Sequence, residues 1–265
     1  MKRLLAGLML AAMAIAAPAH AQDAKAKLVQ SGTLTVATSG SAPPFSLTDA
    51  TGKLDGFDVD FMNRVGQELG LPVRYVQLDF AGLLPGLTAG RFDVVASGVT
   101  RTPQRLEAKE FRLLSPYIVN GVAITRRAAD NAIAAWKDVC GKRMGGVRGG
   151  VFQKTAMEKL PQGCVTETRE YPGFTEMLLD LRNNRIDFMA HDFLGPNYQI
   201  AQGTQGIAVM NDVLDTITQS VAVNAANPAL ADAIEALIAK WRADGTLDAM
   251  IKKRFGASLG WSAVK

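Results

Sequence analysis

The chain has 265 residues, with 29 Lys and Arg against 25 Asp and Glu, a formal net charge of +4 and two cysteines. So near a charge balance, with no run of Lys or Arg, there is no electrostatic footprint for nucleic acid. The length suits two lobes or one large domain.

At the start of the chain, Lys2 and Arg3 precede an apolar run over residues 4–17, and Ala19-His20-Ala21 stands before Gln22. A basic start, a short apolar middle and an A-x-A end describe a secretory signal peptide cleaved after Ala21. The run is shorter than the roughly 20 apolar residues needed to span a bilayer, which argues against an anchor. No cysteine follows the cleavage site, which argues against a lipid tether.

Beyond that point short apolar runs alternate with helical patterns, which predicts α/β units with mostly parallel strands. In the first part, strands are expected over 34–37, 73–77 and 92–96. Helices are expected over 58–69 and 82–89, with Phe61, Val65 and Leu69 recurring on one face of the former. Pro103 suits the first turn of another helix. The second part repeats the plan, with strands over 143–147, 165–169 and 186–190 and helices over 153–160 and 174–183. Two helices, over 228–240 and 246–255, close the chain.

Cys140 and Cys164 each precede an expected strand, with one helix between them, so both belong at the same end of neighbouring parallel strands. In an oxidising compartment a disulfide between them is expected, worth about 3 kcal/mol in the chain-entropy model. Their spacing matches no zinc or CxxC pattern, and no metal or cofactor is expected.

An internal echo suggests a repeat. LTAGRFDVVA from Leu87 is similar to LRNNRIDFMA from Leu181: a helix end, an Arg, an apolar residue, an Asp and a strand finishing in Ala. Two related lobes follow, each expected on its own sheet, with Gly98 and Asp192 at corresponding positions.

Ligands of open α/β sheets bind outside the carboxyl ends of the strands. The residues expected there are Ser39, Phe80, Gly98, Thr100, Arg105, Arg148, Gly150, His191 and Asp192. Arg105 can grip a carboxylate with two parallel hydrogen bonds. Gly98 leaves its backbone open to close approach, and Thr100 adds a hydroxyl. Gly149 and Gly150 precede a helix, where free N–H groups favour an anion. Asp192 suits an ammonium and Phe80 an apolar side chain. Each residue also has a plainer reading: a solvated Arg105, a helix-capping Asp192, a core Phe80, a satisfied strand-end His191. Convergence favours a zwitterion site.

With those residues in view, the chain resembles the bacterial periplasmic solute-binding proteins of polar amino-acid uptake transporters (family 3). The matching stretches are GTLTVATSGSAPPFSLTDATGKLDGFDVDF from Gly32, FAGLLPGLTAGRFDVVASGVTRTPQR from Phe80, NNRIDFMAHD from Asn183 and KWRADGTLDAMIKKRFG from Lys240. The resemblance implies a two-lobed, type II periplasmic binding protein fold, with crossing strands near 120–125 and 216–221. Lobe 1 would comprise 22–122 and 218–265, and lobe 2 123–217. It implies that Arg105 holds the ligand α-carboxylate, and that Gly98 and Thr100 bind the α-amino and carboxylate groups. Asp192 would pair with the α-ammonium, and Phe80 would pack on the ligand side chain. It also implies a periplasmic monomer, partnered by an ABC transporter permease, that closes on an amino acid about a hinge.

Three departures stand out. Ala42 replaces an aromatic residue, Gly149-Gly150-Val151 replaces Gly-Thr-Thr, and Arg101 replaces an apolar residue. Arg101 and Arg148 either favour an acidic ligand side chain or face solvent, the latter being slightly favoured. His191 beside Asp192 is similar to the arrangement in glutamine binders. Two rival readings remain open: an exported cyclohexadienyl or arogenate dehydratase-like enzyme on the same fold, and a sensory descendant with weak binding.

Overall fold

The computed structural model describes residues 25, 27–49, 51–161, 164 and 167–256, so the expected signal peptide lies outside the described residues. Strand β1 (Leu34–Thr38) leads into a small antiparallel sheet of β2 (Ser41–Ala42), β3 (Ser46–Thr48) and β4 (Leu54–Asp55). Helix α1 (Phe57–Leu69), β5 (Val73–Gln77), α2 (Phe80–Thr88), β6 (Val94–Thr100), the one-turn α3 (Pro103–Leu106) and β7 (Phe111–Leu113) complete the first run. Strand β8 (Ile118–Arg127) then crosses to the second lobe. There the chain forms a 3-10 turn at Trp136–Val139, β9 (Arg143–Val147), α4 (Phe152–Lys159), β10 (Glu167–Tyr171), α5 (Phe174–Arg182), β11 (Phe188–Asp192), α6 (Leu194–Ala201) and β12 (Ile207–Val209). Strand β13 (Asp215–Asn224) returns, and α7 (Pro228–Ala243) and α8 (Thr246–Phe255) pack on the first lobe.

The strand order is β10-β9-β11-β8-β13-β6-β1-β5. Strands β5, β1 and β6 run parallel on one side, and β10, β9 and β11 run parallel on the other. Between them β8 and β13 pair antiparallel, with Ile118 opposite Gln219 and Val122 opposite Asp215. Beyond that stretch β8 continues alongside β11, and β13 alongside β6. The hydrogen-bonded ladder therefore runs unbroken from lobe to lobe, which corrects the expectation of a separate sheet for each. Each crossing strand is 10 residues long, enough to pair with the other at one end and with its own lobe at the other.

The same pairing extends two strands past their expected ends. Ser97–Thr100 stay in β6 because Val99 and Thr100 pair with Ser220 and Gln219. His191 and Asp192 stay in β11 because they pair with Ala123 and Val122. The expected strand over 165–169 is described only as Glu167–Tyr171, since 165 and 166 lie outside the described residues.

The sequence echo is an echo of geometry. The Asp93 carboxylate accepts the Thr35 N–H at 2.8 Å, and the Asp93 N–H donates to the Thr35 carbonyl at 2.9 Å. Asp187 repeats this with Arg143, at 2.8 Å in each direction. Gly90 and Asn184, which end the preceding helices, have φ of 69° and 58°. Such left-handed residues let the last carbonyls of a helix find partners, and Arg91 N–H duly bonds to the Gly86 carbonyl as Arg185 N–H does to that of Asp180.

Packing fixes the lobes. In the first, Phe61 meets Trp241 edge-on at 5.4 Å between ring centres and Tyr117 at 5.5 Å, all buried. Helix α1 thus joins the C-terminal helices to the sheet. In the second, Ile124, Trp136, Met144 and Phe188 form one cluster, and Phe174, Met177, Leu181 and Ile186 another.

Cys140 and Cys164 form a disulfide with their Cα atoms 4.9 Å apart and a sequence separation of 24. Replacing both by Ser is expected to lower the unfolding free energy by about 3 kcal/mol, read from denaturant titrations of the two proteins.

Candidate functional site

Side chains from both lobes line one cleft of about 460 Å³, its mouth included. Ser39, Phe80, Gly98, Thr100 and Arg105 come from the first lobe, and Gly150, His191 and Asp192 from the second. Every residue expected at the site lines the cleft except Arg148.

Arg148 falls in the turn that follows β9. Val147, the last residue of β9, faces the cleft, and Arg148 points away. The Arg148 side chain is 56% exposed and lies 3.7 Å from the Glu170 carboxylate. Arg101 does not line the cleft either; its guanidinium donates to the Leu114 carbonyl.

Arg105 is placed by a short chain of local causes. Thr102 caps α3, its hydroxyl accepting the Arg105 N–H at 3.3 Å, and Pro103 opens the turn. From there the guanidinium reaches back to the Thr100 carbonyl at 3.0 Å and across the cleft to the Gly149 carbonyl at 3.0 Å. Burial pulls its pKa below the usual arginine value. Among the described residues it forms no ion pair. A partly desolvated guanidinium with donors on neutral carbonyls favours an incoming carboxylate.

Gly98 sits at φ +61°, a left-handed conformation that favours glycine. A Cβ there would lie 2.9 Å from the Phe45 ring and 3.1 Å from Gln219 Nε2. Its N–H donates to Asp58 Oδ2 at 2.7 Å, and its carbonyl accepts from Gln219 Nε2 at 2.9 Å. The amide is spent, but a carbonyl has a second lone pair for a ligand ammonium. Beside it, Ser97 Oγ bonds the Ser39 hydroxyl at 2.8 Å and the Ser46 hydroxyl at 3.2 Å. This hydroxyl cluster was not apparent from the strand-end residues, because Ser46 comes from the small antiparallel sheet.

On the second lobe, Asp192 is buried at the end of β11. One of its oxygens accepts the Gly195 N–H at 2.6 Å, and the other lies 3.1 Å from His191 Nδ1. The helix-capping reading and a cleft role thus coexist on one carboxylate. The His191 ring packs between Phe152 and Phe174, each 5.0 Å away. The Gly150 N–H is tied to the Val147 carbonyl at 2.9 Å, so that amide is not offered to an anion. Phe80 opens α2 and lines the cleft while packing against the cluster around Leu83 and Leu87. Gln219, from the crossing strand, is a lining residue that local sequence patterns do not point to.

The model of the family described as bacterial extracellular solute-binding proteins, family 3, matches residues 34–257. The L-cystine-binding protein of Escherichia coli strain K12 is 30% identical over 88% of this chain and 86% of that protein. An ancestral arginine-binding protein bound to arginine is 29% identical with a TM-score of 0.78, over 85% of this chain and 99% of that one. An ancestral amino acid-binding protein described as a precursor of cyclohexadienyl dehydratase is 27% identical with a TM-score of 0.76, over 84% and 96%.

Asp58, beneath Gly98, is fully buried, and burial pushes its pKa up to about 7. The unfolded value is near 3.8. Between the two the folded form holds the extra proton, so this group's contribution to stability is full below about pH 4 and is lost as pH rises to about 7. Wild type should lose stability relative to Asp58→Asn across that window, by up to about 1.4 kcal/mol per pH unit, in paired denaturant titrations.

Proposed function

Because the chain belongs to the bacterial extracellular solute-binding proteins, family 3, we propose that it captures an amino acid between its lobes by hinge closure and delivers it to an ABC importer. One observation carries the reading: Arg105 and Asp192, of opposite charge and from opposite lobes, line the same cleft. Arg105 holds the α-carboxylate, with Thr100 beside it. Asp192 and the Gly98 carbonyl take the α-ammonium, and Phe80 covers the side chain.

Apart from His191, the cleft lining has no third titratable side chain. Arg101 and Arg148, the candidate partners for an acidic side chain, lie outside it. An uncharged side chain is therefore the best fit. Micromolar capture requires about −8 kcal/mol, a high yield for a ligand of amino-acid size, so the ligand must be enclosed. Closure of the lobes about β8 and β13 supplies that enclosure, the behaviour of hinged binding proteins.

The protein acts outside the cytoplasm, with residues 1–21 as its export signal and lobes of 22–122 with 218–265 and 123–217. Among the described residues no helix is long and apolar enough to cross a membrane. It acts without chemical change to the solute. The dehydratase reading needs a general acid in the cleft; Asp79 does not line it and Asp192 takes the ligand α-ammonium, which leaves His191 as the group that reading would require. Incubation with prephenate or arogenate is expected to give no aromatic product.

A thermal-shift screen of the standard amino acids should give its largest shift with one that has a neutral side chain. Arg105→Ala should weaken that ligand by about 3 kcal/mol or more, as when one partner of a buried ion pair is removed. Calorimetry showing undiminished binding by Arg105→Ala would remove the guanidinium from its role.

A further inference from the structure

Helix α5 begins after Gly173, whose φ of −158° is extended backbone open to any residue. Such N-cap positions favour Ser, Thr, Asp or Asn, because a side-chain oxygen there accepts the N–H of the second or third helical residue. Gly173 has no oxygen to offer, and no side chain of its own caps the helix. The oxygen comes from the other lobe. Ser41 Oγ, on β2, accepts the N–H of Thr175, the second residue of α5, at 3.4 Å and lies 3.5 Å from its hydroxyl. A Cβ on Gly173 would fall 2.2 Å from Ser41 Oγ and 2.6 Å from Ser41 Cβ. Ser41 thus stands where the helix's own capping side chain would be.

We propose that Ser41 and Gly173 form an N-cap in trans, made when the cleft shuts, and that this pair helps set how long the closed form holds its ligand. The inference rests on the reading of the protein as a hinged amino-acid receptor and adds two positioning residues to it. Two more second-lobe glycines show the same close seating. A Cβ on Gly149 would meet Ala81 Cα at 2.9 Å, and one on Gly195 would meet the Pro43 carbonyl at 2.7 Å. At these three contacts the second lobe presents glycine to the first. At Gly173 the space left by the missing side chain is filled by a hydrogen-bonding group from across the cleft.

Gly173→Ser separates the trans cap from a merely structural role. It gives α5 a cap of its own, so the melting temperature of the ligand-free protein should stay at or above that of wild type. The new side chain collides with Ser41 in the closed form, so dissociation of the bound amino acid should quicken on the order of tenfold, as expected for loss of one capping interaction. Association, which precedes closure, should hardly change. Gly173→Ser combined with Ser41→Gly should recover most of the loss.

The probes are the standard amino acids and cystine, followed by stopped-flow tryptophan fluorescence. Gly173→Ser dissociating at the wild-type rate, melting lower than wild type, or gaining nothing from Ser41→Gly would each overturn the trans cap and leave solute capture standing. A wild-type protein that binds none of the probes would overturn solute capture and the trans cap together.

Discussion

Two buried amides hold the molecule together where its chain crosses between lobes. Asn120 on β8 donates through Nδ2 to Gln219 Oε1 on β13 at 3.1 Å. The remaining atoms of the pair reach into both lobes. Gln219 Nε2 fastens the Gly98 carbonyl of the first lobe, and Asn120 Oδ1 accepts the N–H of Gly121 and, at 3.2 Å, that of Leu194 in the second. Leu194 follows Asp192 by two residues. A buried amide left without a partner costs on the order of 1–3 kcal/mol, so each contact resists removal. The two halves of the cleft are therefore registered against one pair of side chains.

Around that pair, charges are used in two different ways. Arg143 pairs with Asp187, whose carboxyl is held down at about 2 by the guanidinium, and Arg254 is gripped by Asp55 and Asp60. These arginines are satisfied within one lobe and serve to fix loops and helix ends. Arg105 differs because its donors rest on carbonyls of both lobes, Thr100 and Gly149. A carboxylate is a stronger acceptor than a carbonyl, so an anionic ligand would bind Arg105 while the guanidinium still spans the cleft.

Much of this was legible in the sequence because it is local. The apolar face of α1, the strand-end positions of Gly98 and Asp192, and the common grammar around Asp93 and Asp187 each depend on residues within a few positions of one another. What depends on the crossing strands was not legible. The last residues of β6 and β11 look like loop until β13 and β8 pair with them, and the same pairing fuses what read as two sheets. Gln219 acquires its place from Gly98, 121 residues away. Arg148, for which solvent was the slightly favoured reading, follows the last residue of β9 in a turn and lies half-exposed beside Glu170, a placement that no strand periodicity decides.

The disulfide has a consequence of its own. Both half-cystines belong to the second lobe, ahead of β9 and β10, whereas the cleft lies beyond the far ends of β9 and β11. The staple and the cleft thus occupy opposite rims of one sheet, and the covalent link never bridges the moving parts. Durability and grip can then evolve independently: a lineage living in a harsher medium can harden one rim while leaving its taste in solutes untouched at the other.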